Sequence, residues 1–123
     1  VLRRRQRQMC IRDSYSTEFL DLKIAIKIVE NEDEAIKHVN KFSSGHTEGV
    51  LTESEQIAEK FSSSIDSSVI FINASTRFTD GEMFGFGAEI GISTQKLHVR
   101  GPMGLEALTT ERYVINGKGT VRG

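Results

Sequence analysis

Residues 22–73 decide the fold, with the sequence LKIAIKIVENEDEAIKHVNKFSSGHTEGVLTESEQIAEKFSSSIDSSVIFIN. Apolar side chains occupy every second position of residues 22–29, which predicts a β-strand. Residues 49–52 form a short apolar run that predicts a second strand. Residues 68–73 predict a third strand, and its almost wholly apolar side chains predict a central place in the sheet.

Two amphipathic helices are predicted between these strands. Asn31 can cap the first helix, with Glu34 three residues later in a capping-box arrangement, and Gly45 suits its C-terminal end. Thr52 can cap the second helix, with Glu55 at the equivalent position. Apolar side chains recur at helical spacing in both segments: Ala35, Ile36, Val39 and Phe42 in the first, Ile57, Ala58, Phe61 and Ile65 in the second.

The order β-α-β-α-β predicts an α/β fold with a parallel sheet and right-handed crossovers. Ligands of such sheets bind beyond the carboxyl ends of the strands. Asn73 ends the third predicted strand, so the glycine-rich segment 73–110 would leave the sheet at its binding edge. Three parallel strands make a thin sheet with exposed edges, and we therefore expect the chain to be a fragment of a larger domain.

Polar side chains directly after the third strand form the first candidate site. Arg77 can bind a carboxylate or phosphate through two parallel hydrogen bonds, and the hydroxyls of Ser75 and Thr76 can complete an anion site. The alternative is an ion pair between Arg77 and Asp80 that braces the loop. The sequence leaves both open.

Four glycines follow in the same segment, at positions 81, 85, 87 and 91. They would admit close backbone contact with a ligand or, equally, close packing of neighbouring loops. The run Phe84-Gly-Phe-Gly87 lies well beyond the strand end, so it is not the strand-turn-helix fingerprint of dinucleotide binding.

The three histidines show no spacing typical of a metal site, and we predict none. His46 lies between a helix end and a strand, where a structural hydrogen bond is the commoner role, and His38 is expected on a solvated helix face. His98 lies between Lys96 and Arg100, which could face an anion or another subunit.

The C-terminal segment predicts smaller elements. Residues 104–108 predict one helical turn, and residues 113–121 predict a hairpin around Asn116-Gly117. This hairpin has little core of its own, so we expect it to pair with another chain or with a part of the protein outside this sequence.

The N-terminal residues differ from the rest of the chain. Residues 1–13 have a net charge of +4 from five arginines and one aspartate, whereas the remainder has −5. We expect residues 1–14 to be a non-native or disordered head rather than a nucleic-acid arm or a targeting segment. Cys10, the only cysteine, has no partner at a plausible spacing and is expected to be inert. The acidic body argues against nucleic-acid binding, and no apolar run is long enough to span a membrane.

Several long motifs, in order, resemble the γ-glutamyl phosphate reductase (glutamate-5-semialdehyde dehydrogenase) family of the aldehyde dehydrogenase superfamily. They are NASTRFTD at 73–80, GFGAEIGISTQKLH at 85–98 and RGPMGL at 100–105. Upstream, DEAIKHVN at 33–40 and SGHTE at 44–48 are similar to a second signature of the family. The resemblance extends from about Thr17 to Arg122.

The resemblance implies an NADPH-dependent reduction of L-glutamyl 5-phosphate to L-glutamate 5-semialdehyde and phosphate, in cytoplasmic proline biosynthesis. It implies a cysteine thioester whose cysteine is absent here, since Cys10 is not in that cysteine's context, and hence an inactive isolated chain. Residues 15–108 would be the C-terminal part of the catalytic domain and residues 109–123 an oligomerisation arm that joins a homo-oligomer.

Residue roles also follow from the resemblance alone. Glu18 matches the glutamate that contacts the nicotinamide ribose. Ser75, Thr76 and Arg77, with Phe86 and Gly87, match the loop that anchors the far end of the substrate. The alternative hypothesis is a non-catalytic α/β assembly or binding module that retains the same sheet.

Overall fold

Helix α1 begins where the sequence predicts. The computed structural model describes residues 14–123, and in it α1 spans Glu32–Phe42. The Oδ1 of Asn31 accepts a hydrogen bond from the Glu34 backbone N–H at 2.9 Å. The Glu34 carboxylate accepts from the backbone N–H of Glu30 at 3.2 Å, one residue before the cap. The predicted capping box is therefore present, with its return bond displaced by one residue.

Helix α2 spans Glu55–Ser64, and its cap is Ser54 rather than the predicted Thr52. The Ser54 Oγ accepts from the Ile57 backbone N–H at 3.4 Å. The Thr52 hydroxyl accepts from the Ser54 backbone N–H at 3.1 Å instead. The prediction of a helix here is correct, but both residues can cap, and only the geometry of the preceding turn decides between them.

A parallel pair of strands lies beside the helices. Strand β1 spans Thr47–Val50 and β2 spans Val69–Ile72, in register from Thr47 opposite Val69 to Val50 opposite Ile72. Strand β1 begins two residues before the predicted run and leaves Leu51 82 % exposed. The sheet has two strands within residues 14–123. The predicted central place of β2 is therefore wrong for this part of the chain.

The core of this region lies among α1, α2 and the sheet. Ile36, Phe61 and Ile65 are buried in it. Three partly buried side chains pack against them: Val39, Val50 and Ile70. The buried side chains come from the predicted helical stripes, as expected of helices that cover one face of a small sheet.

An exposed ion-pair cluster links the two helices. The ammonium group of Lys60 lies 3.1 Å from the Glu32 carboxylate and 2.8 Å from the Asp33 carboxylate. Hydrogen bonds to Asp33 and then Glu32 raise the pKa of Lys60. The same Lys60 hydrogen bond lowers the pKa of Asp33, whereas the pKa of Glu32 is lowered first by its own backbone N–H and second by Lys60.

Residues 22–29 do not form the predicted strand. The side chains on their apolar face are 74–104 % exposed: Leu22, Ile24, Ile26 and Ile28. The opposite face is held to the body, where Lys27 pairs with Glu34 at 2.7 Å and Ala25 and Val29 are half-buried. The alternation is that of a strand, but a strand also needs a neighbour in a ladder, and the described residues provide none here. The observed order of α-helices and strands in residues 14–76 is thus α-β-α-β.

The chain divides after Thr76 into two compact units, and residues 77–123 form the second. A 3₁₀ turn spans Thr76–Phe78 at the division. In the second unit, β3 (Gly91–Ser93) pairs antiparallel with β4 (Gly101–Met103). A 3₁₀ turn at Glu106–Leu108 confirms the predicted helical turn, whereas the pair β3–β4 was not predicted.

Residues 109–123 contain no strand, so the predicted hairpin is not formed within the described chain. Tyr113, Ile115 and Val121 are 86–91 % exposed. An isolated two-stranded hairpin is marginally stable at best, since it buries too little apolar surface. Pairing of this segment with another chain stays a prediction.

Residues 1–13, including Cys10 and the arginines of the head, lie outside the described residues. Between Ser14 and Gly123, no helix is both long enough and apolar enough to cross a membrane.

Candidate functional site

Asn73 fixes the backbone where β2 ends. Its φ of 55° is in the left-handed region, which asparagine tolerates better than most residues. Its backbone N–H donates to the Val50 carbonyl at 2.8 Å and continues the β1–β2 ladder by one step. Its side chain holds Thr52 twice: Oδ1 accepts from the Thr52 N–H and Nδ2 donates to the Thr52 carbonyl, each at 2.8 Å. Three hydrogen bonds therefore hold Asn73 in place at the predicted binding edge of the sheet.

The three candidate anion-binding residues follow within four positions. Ser75, Thr76 and Arg77 are exposed, and the 3₁₀ turn begins at Thr76. Ser75 and Thr76 close the first unit, and Arg77 opens the second. Their hydroxyl and guanidinium groups are the ones that the sequence predicts to bind a carboxylate or phosphate, and this role stays a prediction.

Asp80, the alternative partner of Arg77, organises the loop that follows. Its Oδ1 accepts from the backbone N–H groups of Glu82 at 2.8 Å and Met83 at 3.1 Å. Its carbonyl accepts from the Phe84 N–H at 3.0 Å. Asp80 thus stabilises the turn at 80–84 through backbone contacts, whichever role Arg77 has.

Gly81 is the first residue of the 81–90 loop, and residues near the end of the loop pack against it. It is buried, its N–H donates to the Glu89 carboxylate at 3.1 Å, and its carbonyl accepts from the Phe86 N–H at 2.8 Å. A side chain at Gly81 would collide with the Ala88 carbonyl and Glu89. Close packing within the loop, the alternative weighed for these glycines, therefore explains Gly81.

Gly85 and Gly87 differ from Gly81 in that both adopt a left-handed backbone conformation. Their φ angles are 82° and 73°, and no atom lies within 4 Å of a Cβ built on either. They are required by backbone conformation rather than by packing. Between them, the Phe86 ring lies 6.1 Å from that of Phe84 in an edge-to-face arrangement.

A cavity of about 400 Å³ lies in the second unit. Phe86 lines it together with Gly85, Val99, Pro102, Gly104, Glu106 and Ala107. Gly104 allows this packing, because a Cβ there would lie 2.8 Å from the Phe86 Cβ and 2.9 Å from its carbonyl. Of the two predicted substrate residues in this unit's loop, Phe86 lines the cavity and Gly87 is its neighbour in the chain.

Glu18 lies on a separate groove of about 810 Å³ in the first unit. Its carboxylate is exposed. One wall carries three aromatic rings, of which Tyr15 and His38 meet edge to face at 4.6 Å and His38 and Phe42 lie 4.8 Å apart. The side chains that line the groove between Tyr15 and Glu48 include carboxylates, hydroxyls and two histidines, but no lysine or arginine.

The positions of the histidines agree only in part with those expected from the sequence. His38 belongs to this aromatic wall and is half-buried, so its predicted solvated position is wrong. The His46 Nδ1 lies 2.7 Å from the Thr47 hydroxyl and forms the structural hydrogen bond that the sequence favoured. His98 is exposed, in the stretch between β3 and β4. Across residues 14–123, no three histidine, cysteine or acidic side chains are grouped as metal ligands.

Sequence reasoning missed the residues that hold these loops. Asn73 was recognised as a strand end, but its side-chain bonds to Thr52 were not foreseen. The support given by Glu89 and Gly104 was also missed. An asparagine directly after a buried strand is the one available signal, since asparagine favours left-handed and turn conformations.

Comparison with known proteins identifies the fold. The family model described as "Aldehyde dehydrogenase family" matches residues 24–111. The chain is 59 % identical over 110 residues to γ-glutamyl phosphate reductase from Petrotoga mobilis, covering 89 % of this chain and 26 % of that protein. It is also 59 % identical to the protein of that name from Thermotoga maritima, with the same coverage.

A solved structure agrees with these sequences. The crystal structure of γ-glutamyl phosphate reductase from Thermotoga maritima superposes with a TM-score of 0.82 at 58 % identity, covering 90 % of this chain and 27 % of that one. The chain spans about a quarter of the length of the relatives it matches. The resemblance deduced from the motifs is confirmed: the chain belongs to the aldehyde dehydrogenase family.

Proposed function

We propose that the chain is the C-terminal part of a reductase that converts L-glutamyl 5-phosphate to L-glutamate 5-semialdehyde and phosphate in proline biosynthesis. The observation that carries the proposal is the 59 % identity over 110 residues to a γ-glutamyl phosphate reductase. Because the chain spans about a quarter of that relative, the activity is proposed for the complete protein, which we expect to be cytoplasmic.

The proposed reaction needs a nucleophile that residues 14–123 do not contain. A cysteine thiolate elsewhere in the protein would attack the acyl carbon, form a thioester and release phosphate. NADPH, when bound, supplies the hydride that releases the aldehyde and regenerates the thiolate. Since Cys10 is the only cysteine of the sequence and has no such context, we expect the isolated chain to be inactive.

The contribution of this chain is to bind the amino-acid end of the substrate. That end carries a carboxylate, which Arg77 can bind through two hydrogen bonds while the hydroxyls of Ser75 and Thr76 donate to the same group. Phe86 and Gly87 would contact the rest of the substrate. Anchoring at this end places the acyl phosphate against the thiol, so that binding energy lowers the cost of bringing the reactants together.

The nicotinamide cofactor would contact Glu18. An exposed carboxylate on a groove can accept hydrogen bonds from the two hydroxyls of a ribose. Among residues 14–123, the side chains that line the groove include hydroxyls and carboxylates, which suit the hydroxyl groups of a ribose. The residues present therefore fit the nicotinamide ribose, and the preference for NADPH is part of the proposal.

The complete protein is further proposed to form a homo-oligomer through residues 109–123. Support comes from the exposed apolar side chains of this segment, Tyr113, Val114, Ile115 and Val121. Within the described chain they pack against little, whereas a strand of a second copy would bury them and pair their backbone groups. Ile115→Asp in a complete protein is expected to reduce the mass measured by light scattering, whereas Lys118→Asp is expected to leave it unchanged.

A chimera tests the function. In the Thermotoga maritima reductase, residues 17–122 of this chain would replace the matching segment. The chimera should restore growth without proline to a bacterial strain that lacks the reductase. A chimera that is expressed in soluble form and fails to restore growth would argue for the non-catalytic module.

The anchoring role has its own test. Arg77→Ala in the chimera removes a charge-assisted pair, worth about 1.5–3 kcal/mol, and should raise the Michaelis constant for glutamate 5-semialdehyde in the reverse reaction by about tenfold or more. Arg112→Ala, which removes an exposed arginine of the C-terminal segment, is the matched control. An unchanged Michaelis constant in Arg77→Ala would show that Arg77 does not anchor the substrate.

A further inference from the structure

The turn that carries Ser75 and Thr76 is held from two sides by residues outside it. One is Asn73, whose side chain joins the end of β2 to Thr52, 21 residues earlier, by two hydrogen bonds of 2.8 Å. Together with the bond from the Asn73 N–H to the Val50 carbonyl, three hydrogen bonds fix one residue. The chain therefore enters the turn from a fixed point and in a fixed direction.

The second side is Gly49, in strand β1. A Cβ built on Gly49 would lie 3.1 Å from the Thr76 Cγ2, closer than the 3.4–4 Å of ordinary contact. The Thr76 methyl group thus occupies space that any other residue at position 49 would fill. The φ of Gly49 is not in the left-handed region, so backbone conformation does not require this glycine.

We propose that Asn73 and Gly49 are positioning residues that set the place of the Ser75–Thr76 turn, and with it the affinity for the amino-acid end of the substrate. Asn73 acts through its two bonds to Thr52, and Gly49 acts by leaving room for the Thr76 methyl group. This inference rests on the proposed anchoring function. Neither Asn73 nor Gly49 is proposed to touch the substrate.

The test uses the full-length chimera and five variants, one of which is Thr76→Ser alone. Asn73→Gly removes both side-chain hydrogen bonds and adopts the left-handed backbone conformation without strain. Asn73→Ala would remove the same bonds but would also strain the backbone, so the two effects could not be separated. Gly49→Ala inserts the Cβ, and Gly49→Ala with Thr76→Ser removes the methyl group that it meets. Gln56→Ala, at an exposed position of α2, is the control.

Asn73→Gly and Gly49→Ala are expected to raise the Michaelis constant for glutamate 5-semialdehyde by about three- to tenfold. A displacement of a few tenths of an ångström should cost less than the roughly 100-fold of a 1 Å misplacement. The Michaelis constant for NADP⁺ should change by less than about twofold, because only the substrate-side turn moves. In the Thr76→Ser background, Gly49→Ala should raise the Michaelis constant for glutamate 5-semialdehyde little further.

Three outcomes would overturn the inference. If Arg77→Ala raises the Michaelis constant and neither Asn73→Gly nor Gly49→Ala does, anchoring stands and positioning is wrong. If both constants rise together and the thermal unfolding temperature falls, the two residues are merely structural. If Thr76→Ser does not relieve Gly49→Ala, the proposed route through the methyl group is wrong. An unchanged constant in Arg77→Ala would instead remove the proposed anchoring role on which this inference rests, and the growth test of the chimera would still decide the proposed function.

Discussion

Ile65 and Leu51 offer a matched test of what holds the first unit together. Both are aliphatic residues outside helices and strands, but Ile65 is 6 % exposed and Leu51 is 82 % exposed. Truncation of either to alanine removes three carbon atoms, worth about 2.4 kcal/mol if fully buried. Nearly all of this applies to Ile65, and the cavity left behind raises the expected loss to about 2–5 kcal/mol. For Leu51 we expect less than about 0.5 kcal/mol.

The assay is urea unfolding of the 123-residue chain, followed by circular dichroism at 222 nm. Both α-helices of the described chain belong to the first unit, so this signal reports its unfolding. With a slope of about 1 kcal/mol per molar urea, Ile65→Ala should lower the midpoint by about 2 M or abolish the helical signal without urea. Equal midpoints for Ile65→Ala and Leu51→Ala would refute the assigned core.

Three further predictions concern the caps, a loop glycine and the ion-pair cluster. Asn31→Ala should lower the free energy of unfolding by about 1 kcal/mol and Ser54→Ala by about 0.5 kcal/mol, because the cap hydrogen bond of Asn31 is 2.9 Å long and that of Ser54 is 3.4 Å long. The same urea assay ranks the two variants, and the reverse order would contradict this prediction. Gly104→Ala should accelerate amide hydrogen exchange in residues 81–90 by more than about tenfold, since its Cβ would meet Phe86, whereas Gly117→Ala should not. The pKa of Asp33 is lowered in the folded chain, so as pH falls the unfolded chain, in which Asp33 has its ordinary pKa of 3.8, binds a proton first. The stability that the Asp33–Lys60 pair contributes is therefore present above about pH 5 and is lost as pH falls through the folded pKa of Asp33. Lys60→Met should therefore flatten the loss of helical signal between about pH 5 and 2, and an unchanged acid titration would show that the pair contributes nothing.

The helices were predictable because their signals are local. Asn31 and Glu34 lie within one turn of each other, and the apolar stripe that ends in Ile65 has helical spacing. The cap of α2 was misplaced by two residues, from Ser54 to Thr52. Both are hydroxyl residues, and the choice depends on where β1 ends, which is fixed by pairing with β2 rather than by local sequence.

The strands were less predictable because a strand depends on its neighbour. Residues 22–29 alternate as a strand should, yet their apolar face is exposed, since residues 14–123 provide no ladder for them. Strands β3 and β4 have three residues each, too few to show a period. Gly101, with φ of 83°, and Pro102 obscured the second of them.

The chemical types at the candidate site were predictable, but their support was not. Ser75, Thr76 and Arg77 are adjacent in sequence and exposed, and a 3₁₀ turn begins at Thr76. The contacts that hold this turn join Asn73 to Thr52 and Gly49 to Thr76, across 21 and 27 positions. No pattern along one sequence reveals such pairs, because parallel strands bring together residues that a whole helix separates.

This chain is proposed to supply the substrate side of a γ-glutamyl phosphate reductase site. The most direct measurement is phosphate-dependent NADPH formation from glutamate 5-semialdehyde by the purified chimera. We predict a value of kcat/KM within about tenfold of the unsubstituted Thermotoga maritima enzyme, a difference of at most about 1.4 kcal/mol in transition-state stabilisation. A chimera with the parent's mass and unfolding temperature that forms no NADPH would contradict it.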